Sequence, residues 1–254
     1  MKWITLALFL LPVLSMASEP VEYRDGETVL EGSIAYPKDK EGKLPVVLIV
    51  HDWNGIDSYE QGRADQIAGL GYIGFAIDIY GKDIRPKNAQ ESGAEAGKYY
   101  QNHDLLRSRV KAALDYIATN PRADTKRMVM IGYCFGGMVA LDTARSGADL
   151  LGVVSFHGGL KASFPAKPHT IKAKILVLHG DADIPSPMKD VEALKKEMSE
   201  AKADCRVVIY KGAKHAFTVP GPDSNIPGVG YDEKADKASW KEMVSFLAKL
   251  FKHR

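Results

Sequence analysis

Six short apolar runs, interleaved with longer stretches of helical periodicity, restrict this chain more than any other feature. The runs are VVLIVH (46–51), YIGFAIDIY (72–80), RMVMIGY (127–133), LGVVSF (151–156), AKILVLHG (173–180) and CRVVIY (205–210). They are rich in Val and Ile and mostly lack polar alternation, which is how strands buried on both faces read. Amphipathic stretches lie between and after them: QGRADQIAGLG (61–71), DLLRSRVKAALDYIATN (104–120), GMVALDTARSG (137–147), SPMKDVEALKKEMSEA (186–201) and EKADKASWKEMVSFLAKLFK (233–252). Strand alternating with helix predicts a mainly parallel sheet with helices on both faces. Ahead of it, VEYRDGETVLEGSIAYP (21–37) reads as two antiparallel edge strands around Asp25-Gly26, giving about eight strands in all.

The expected fold class is therefore α/β, as one domain over residues 18–254. Residues 1–17 place Lys2 before an apolar run and end in a small-x-small pattern, Ser15-Met16-Ala17, which reads as a signal peptide. The run is too short and too interrupted, at Pro12, to span a bilayer. The expectation is export, to a periplasm or beyond, with no stable membrane association after cleavage. Lys and Arg total 34 against 32 for Asp and Glu, too even a balance to point to a nucleic-acid partner. Met188, Met198, Trp240, Met243 and Phe246 sit at helical-core spacings.

In such sheets ligands bind beyond the carboxyl ends of the strands. Those positions hold His51-Asp52-Trp53, Asp78 and Tyr80, Cys134, His157, Asp181 and Asp183, and His215. Gly132-Tyr133-Cys134-Phe135-Gly136-Gly137 joins a strand directly to a helix as a G-x-nucleophile-x-G elbow with Cys in the Ser position. A helix start favours the thiolate form of a cysteine, the reactive one. Asp183 and His215 follow in the order nucleophile, acid, base, with Asp181 as the competing acid. In this reading Cys134 attacks a carbonyl carbon, His215 handles the proton, and Asp183 orients the imidazole. The backbone N–H groups of Phe135 and Trp53 are the candidate oxyanion donors. Tyr80, Arg85 and Tyr133 are candidate substrate contacts.

With IGYCFGG, HGDADIP and KHAF in place, the chain resembles the dienelactone hydrolase family of α/β hydrolases, and the resemblance spans essentially everything after residue 17. It implies hydrolysis of a small ester or enol-lactone through a thioester, without metal or organic cofactor. It also implies a thiol-activating carboxylate after the first central strand; Asp52 stands there, where well-known members have Glu. Those members grip a substrate carboxylate with two arginines. The corresponding segments here, NAQESGAEAGKYY (88–100) and AFTVPGPD (216–223), contain none. Lys82, Arg85, Lys98 and Lys214 are the cations left to replace them, and lysine lacks the bidentate fork of arginine. The segment 218–235, rich in Pro and Gly, is expected to cover the site.

Three other readings compete. His51, His157, His179 and His215 recur near strand ends, but lack the i, i+4 or Cys-x-x-Cys spacing of metal sites, and read as structural histidines apart from His215. A general small-ester carboxylesterase fits the same residues. A non-catalytic exported protein with a redox-sensitive or ligand-binding thiol at Cys134 is the third. Cys205 opens an apolar strand and reads as a buried, inert thiol rather than a disulfide partner.

Overall fold

The computed structural model describes residues 18–221 and 225–252. The expected signal peptide lies outside them. Eight strands form one sheet: β1 (Glu19–Asp25), β2 (Thr28–Ala35), β3 (Leu44–Val50), β4 (Ile73–Ile77), β5 (Ala123–Tyr133), β6 (Gly152–Phe156), β7 (Lys174–Gly180) and β8 (Cys205–Tyr210). Their order across the sheet is β1-β2-β4-β3-β5-β6-β7-β8. From β4 through β8 every pairing is parallel, while β2 runs antiparallel to both β1 and β4. Only β1 of the first hairpin is thus an edge strand, because β2 is closed on its far side by β4.

Six helices cover the sheet: α1 (Ser58–Gly69), α2 (Ala89–Gln101), α3 (His103–Ala118), α4 (Phe135–Arg145), α5 (Met188–Glu200) and α6 (Glu233–Lys252). Successive strand residues face opposite ways, and β3 shows the result: Leu48 and Val50 pack with residues of α2 to α5, whereas Val47 and Ile49 pack with α1 and α6. Both faces of the central strands are buried, which accounts for the missing polar alternation. Met198 and Met243 lie in these two cores, with Met188, Trp240 and Phe246 packed at their margins.

Local hydrogen bonds explain where elements depart from the sequence pattern. Helix α1 starts before residue 61 because Asp57 and Glu60 form a capping box. Strand β4 ends at Ile77, short of Tyr80, because Asp78 Oδ1 accepts the N–H groups of Tyr80 and Gly81 and turns the chain out of the sheet. The parallel strands all deliver their carboxyl ends to one edge, and that edge carries the site. Cys134 follows the end of β5, whereas Cys205 begins β8 at the opposite edge. Both thiols are free.

Candidate active site

One residue, Cys134, connects β5 to α4, with φ 53° and ψ −110°. Backbone in that region is costly for a side-chain-bearing residue and persists only when its surroundings enforce it. Here the enforcement is close packing. A Cβ on Gly132 would lie 2.0 Å from the Gly136 carbonyl oxygen, and one on Gly136 would lie 2.2 Å from that of Val50. The Cys134 N–H donates to the Phe156 carbonyl at 3.0 Å, pinning the turn to β6.

His215 follows β8 and reaches back over this turn. Its Nε2 lies 3.0 Å from Cys134 Sγ, and its Nδ1 lies 2.8 Å from Asp183 Oδ2. Asp183 is buried, and its second oxygen accepts the Ser186 N–H at 2.8 Å. The competing acid, Asp181, instead accepts the Gly212 N–H at the protein surface. The loop after His215 returns to clamp it: His215 N–H donates to the Gly228 carbonyl at 2.8 Å, and Gly230 N–H to the His215 carbonyl at 2.9 Å. Burial opposes a charge on His215. The negative charge of an ionised Cys134 and the bonds to Asp183 and Cys134 outweigh it, pushing the imidazole up to about 10.

The other three strand-end histidines are held differently. His51 Nδ1 lies 2.6 Å from the Asp52 carbonyl and its Nε2 accepts the Ile79 N–H. His157 bonds Thr218 Oγ1 and stands edge-on to the His215 ring, while His179 donates to the Ser186 carbonyl. Burial lowers all three from the usual histidine range.

A cavity of about 310 Å³ opens at Cys134 and His215, lined also by Asp52, Trp53, Tyr100, Gly159, Pro185, Ser186, Ala216, Val219, Ile226 and Val229. Among the described residues, no Lys or Arg lines it. Val219, Ile226 and Val229 come from the segment expected to cover the site. Phe135 opens α4, so its N–H has no intrahelical acceptor. The Trp53 carbonyl accepts from Tyr80 Oη at 3.1 Å, which fixes the peptide that follows the candidate donor.

Three further candidates, Tyr80, Arg85 and Tyr133, need correction because they lie off the cavity, whereas the fourth, Asp52, lies on it. Asp52 lies on the cavity wall, but its oxygens accept the N–H and side-chain amide of Asn54 and make no hydrogen bond to Cys134. One methylene shorter than Glu, it turns back on its own loop. Tyr80 packs on His51 and Phe135 behind the wall. Arg85 donates to the Gly81 and Ile84 carbonyls and lies 3.6 Å from Asp78, and is no part of the cavity lining. Tyr133 is fully buried beneath the turn, stacked on Phe156. Conversely, Tyr100 and Ser186 line the cavity without any local signal in the sequence.

The sheet order, the strand-to-helix elbow and the cavity at the carboxyl edge define an α/β hydrolase. The chain belongs to the dienelactone hydrolase family, whose model matches residues 30–251. It is 27% identical to a Salmonella typhimurium protein named "Putative carboxymethylenebutenolidase", across 84% of this chain and 80% of that one. An uncharacterised Caenorhabditis elegans protein is 36% identical over 58% of this chain and 94% of its own. A dienelactone hydrolase-like promiscuous phosphotriesterase from metagenomic libraries superposes with a TM-score of 0.88 at 32% identity, covering 93% of this chain and 99% of that one.

Proposed function

We propose that the protein hydrolyses small, uncharged esters or lactones through a thioester on Cys134. The observation that carries this is the chain of contacts Asp183 Oδ2 to His215 Nδ1 and His215 Nε2 to Cys134 Sγ, at 2.8 and 3.0 Å, opening on an apolar-walled cavity. His215 takes the thiol proton. Cys134 Sγ then bonds the carbonyl carbon, and the C–O bond to the alcohol breaks as His215 returns that proton to the leaving oxygen. In the second half a water gives its proton to His215 and attacks the thioester, the C–S bond breaks as His215 returns that proton to the sulfur, and the acid departs. The Phe135 and Trp53 N–H groups stabilise the oxyanion in both halves. The tightly held Asp183 keeps the imidazole proton on Nδ1, leaving Nε2 free to accept.

The lining of the cavity supports an uncharged substrate. An anionic lactone would enter facing Asp52 with no lysine or arginine to meet it. Dienelactones bearing a carboxylate are therefore poorer substrates here than neutral esters in this reading. Asp52 acts on the cavity's charge and not on the thiol directly. Export after removal of residues 1–17 remains part of the proposal, and N-terminal sequencing of the native protein tests it.

The test is turnover of 4-nitrophenyl butyrate, with acyl-enzyme trapping read by mass spectrometry. Wild-type protein gives a burst and a butyryl adduct on Cys134, and Cys134→Ala and His215→Ala give neither. Wild-type turnover no higher than that of either variant would sink the proposal. Because a structural relative bears the name of a promiscuous phosphotriesterase, a neutral phosphotriester belongs in the same panel.

A further inference from the structure

The cavity at Cys134 has a neighbour of about 290 Å³, and the two share Tyr100, Gly159, Pro185 and Ser186 as a common wall. The second differs in chemistry. Its remaining lining includes His103, Lys161, Ser163 and Asp190, so it offers donors and acceptors together.

His103 is built for one task. It is the first residue of α3, and its Nδ1 lies 3.0 Å from Asp142 Oδ1. Arg107 grips Asp142 through two bonds, Nε to Oδ2 at 2.8 Å and Nη2 to Oδ1 at 3.0 Å. A carboxylate held this way takes the Nδ1 proton as its hydrogen-bond donor. A carboxylate only accepts, so Nδ1 carries the proton of this bond and Nε2 is the ring nitrogen left over. That atom is buried without a partner, and so is Ser186 Oγ on the shared wall. Buried polar atoms left unpaired are costly, and those in native proteins call for an explanation. Both belong to residues that line one cavity, where a ligand that supplies hydrogen bonds would satisfy them.

The charges restrict what that ligand is. Lys161 Nζ stands 4.0 Å from Asp190, so the lysine on the lining already faces a carboxylate. An anionic group would meet the Asp190 carboxylate. A hydroxyl both donates and accepts, which suits His103 Nε2 and Ser186 Oγ at once. Two exposed aromatic rings flank the same region: Tyr100 on the lining, and Phe164 edge-on to His103 with ring centroids 5.1 Å apart. They offer apolar faces to the carbon skeleton of a polyol.

We infer that this second cavity is a subsite for the neutral, hydroxylated alcohol portion of an ester, bound through His103 and Ser186. The inference rests on the reading of Cys134 as nucleophile, whose own cavity then holds the acyl group.

The experiment compares glycerol monobutyrate with propyl butyrate, which share an acyl group and differ in hydroxyls. Wild-type protein prefers the glycerol ester in kcat/KM. His103→Leu and Ser186→Ala each lower that preference about tenfold, the usual scale of one lost buried hydrogen bond. His103→Gln keeps an acceptor and restores part of it. Circular dichroism identifies any variant that fails to fold, and Ser186→Ala carries the test if His103→Leu does not. In parallel, calorimetry follows glycerol monobutyrate binding to Cys134→Ala with and without His103→Leu. Turnover of both esters with a preference that neither variant moves overturns the subsite. Binding that depends on His103 in a protein whose wild type turns over neither ester upholds the subsite and sinks the catalytic reading instead.

Discussion

Asp183 meets His215 with one oxygen only, Oδ2 at 2.8 Å from Nδ1, and commits the other to the Ser186 N–H. That division makes Asp183→Asn informative. The amide oxygen will keep the Ser186 bond, which turns the NH₂ group toward His215 and drives the imidazole proton to Nε2, facing the sulfur. Such a histidine cannot accept the thiol proton. We expect kcat/KM for 4-nitrophenyl butyrate to fall by roughly 10³- to 10⁴-fold, the scale seen when a triad carboxylate loses its charge. Retention of more than a tenth of wild-type activity would argue that Asp183 is structural.

The elbow predicts a stability effect free of chemistry. Gly132→Ala places a methyl group 2.0 Å from the Gly136 carbonyl oxygen, where only backbone could yield. Overpacking of this kind costs on the order of 3 kcal/mol or more, or roughly 6–12 °C in melting temperature for a domain this size. Differential scanning fluorimetry checks it. Gly62→Ala, with nothing within 4 Å of the added carbon, is the control and should melt within a degree or two of wild type.

The two thiols should behave differently toward iodoacetamide. Burial pushes Cys205 up to about 11, so near neutral pH it is almost wholly protonated and slow to react. Cys134 has His215 Nε2 at 3.0 Å to take its proton and a cavity to admit the reagent. Peptide mapping after brief exposure at pH 7 is expected to find label on Cys134 alone, and His215→Ala to slow it at least tenfold. Equal labelling of both would reject an activated thiol.

Asp52 gives a pH dependence of stability. Burial, opposed by its Asn54 bonds, raises its carboxyl from 3.8 to about 6. A raised carboxyl means that the fold favours the neutral form. The stability it contributes is complete below about pH 3.8 and is lost as pH rises through about 6. Asp52→Asn, which cannot ionise, should therefore melt about 2–5 °C above wild type at pH 7.5, with the gap narrowing toward pH 4.5. A gap that widens on acidification would show the carboxylate to be stabilised by the fold.

The sequence marked Cys134, Asp183 and His215 because each stands just beyond an uninterrupted apolar strand, and because glycine on both sides of a lone Cys has few other uses. The lining was less legible. Tyr100 lies in the last turn of one helix and Ser186 precedes another, and both reach the cavity only through tertiary packing that no local pattern encodes. The failures at Tyr80 and Arg85 share a cause: the buried Asp78, whose carboxylate organises the end of β4 and draws their groups to it. A sequence shows that a polar residue stands at a strand end. It does not show which neighbour has already claimed it.

The clamp on His215 has a mechanical meaning. Val229, between the two residues that hold the histidine backbone, is also part of the cavity wall. Doorway and base thus belong to one piece of chain. Were that piece to swing outward, it would carry the imidazole off the sulfur, so an open door would find the thiol disarmed. A thiol prone to oxidation gains from such gearing, because it meets its imidazole only while that piece of chain is in place.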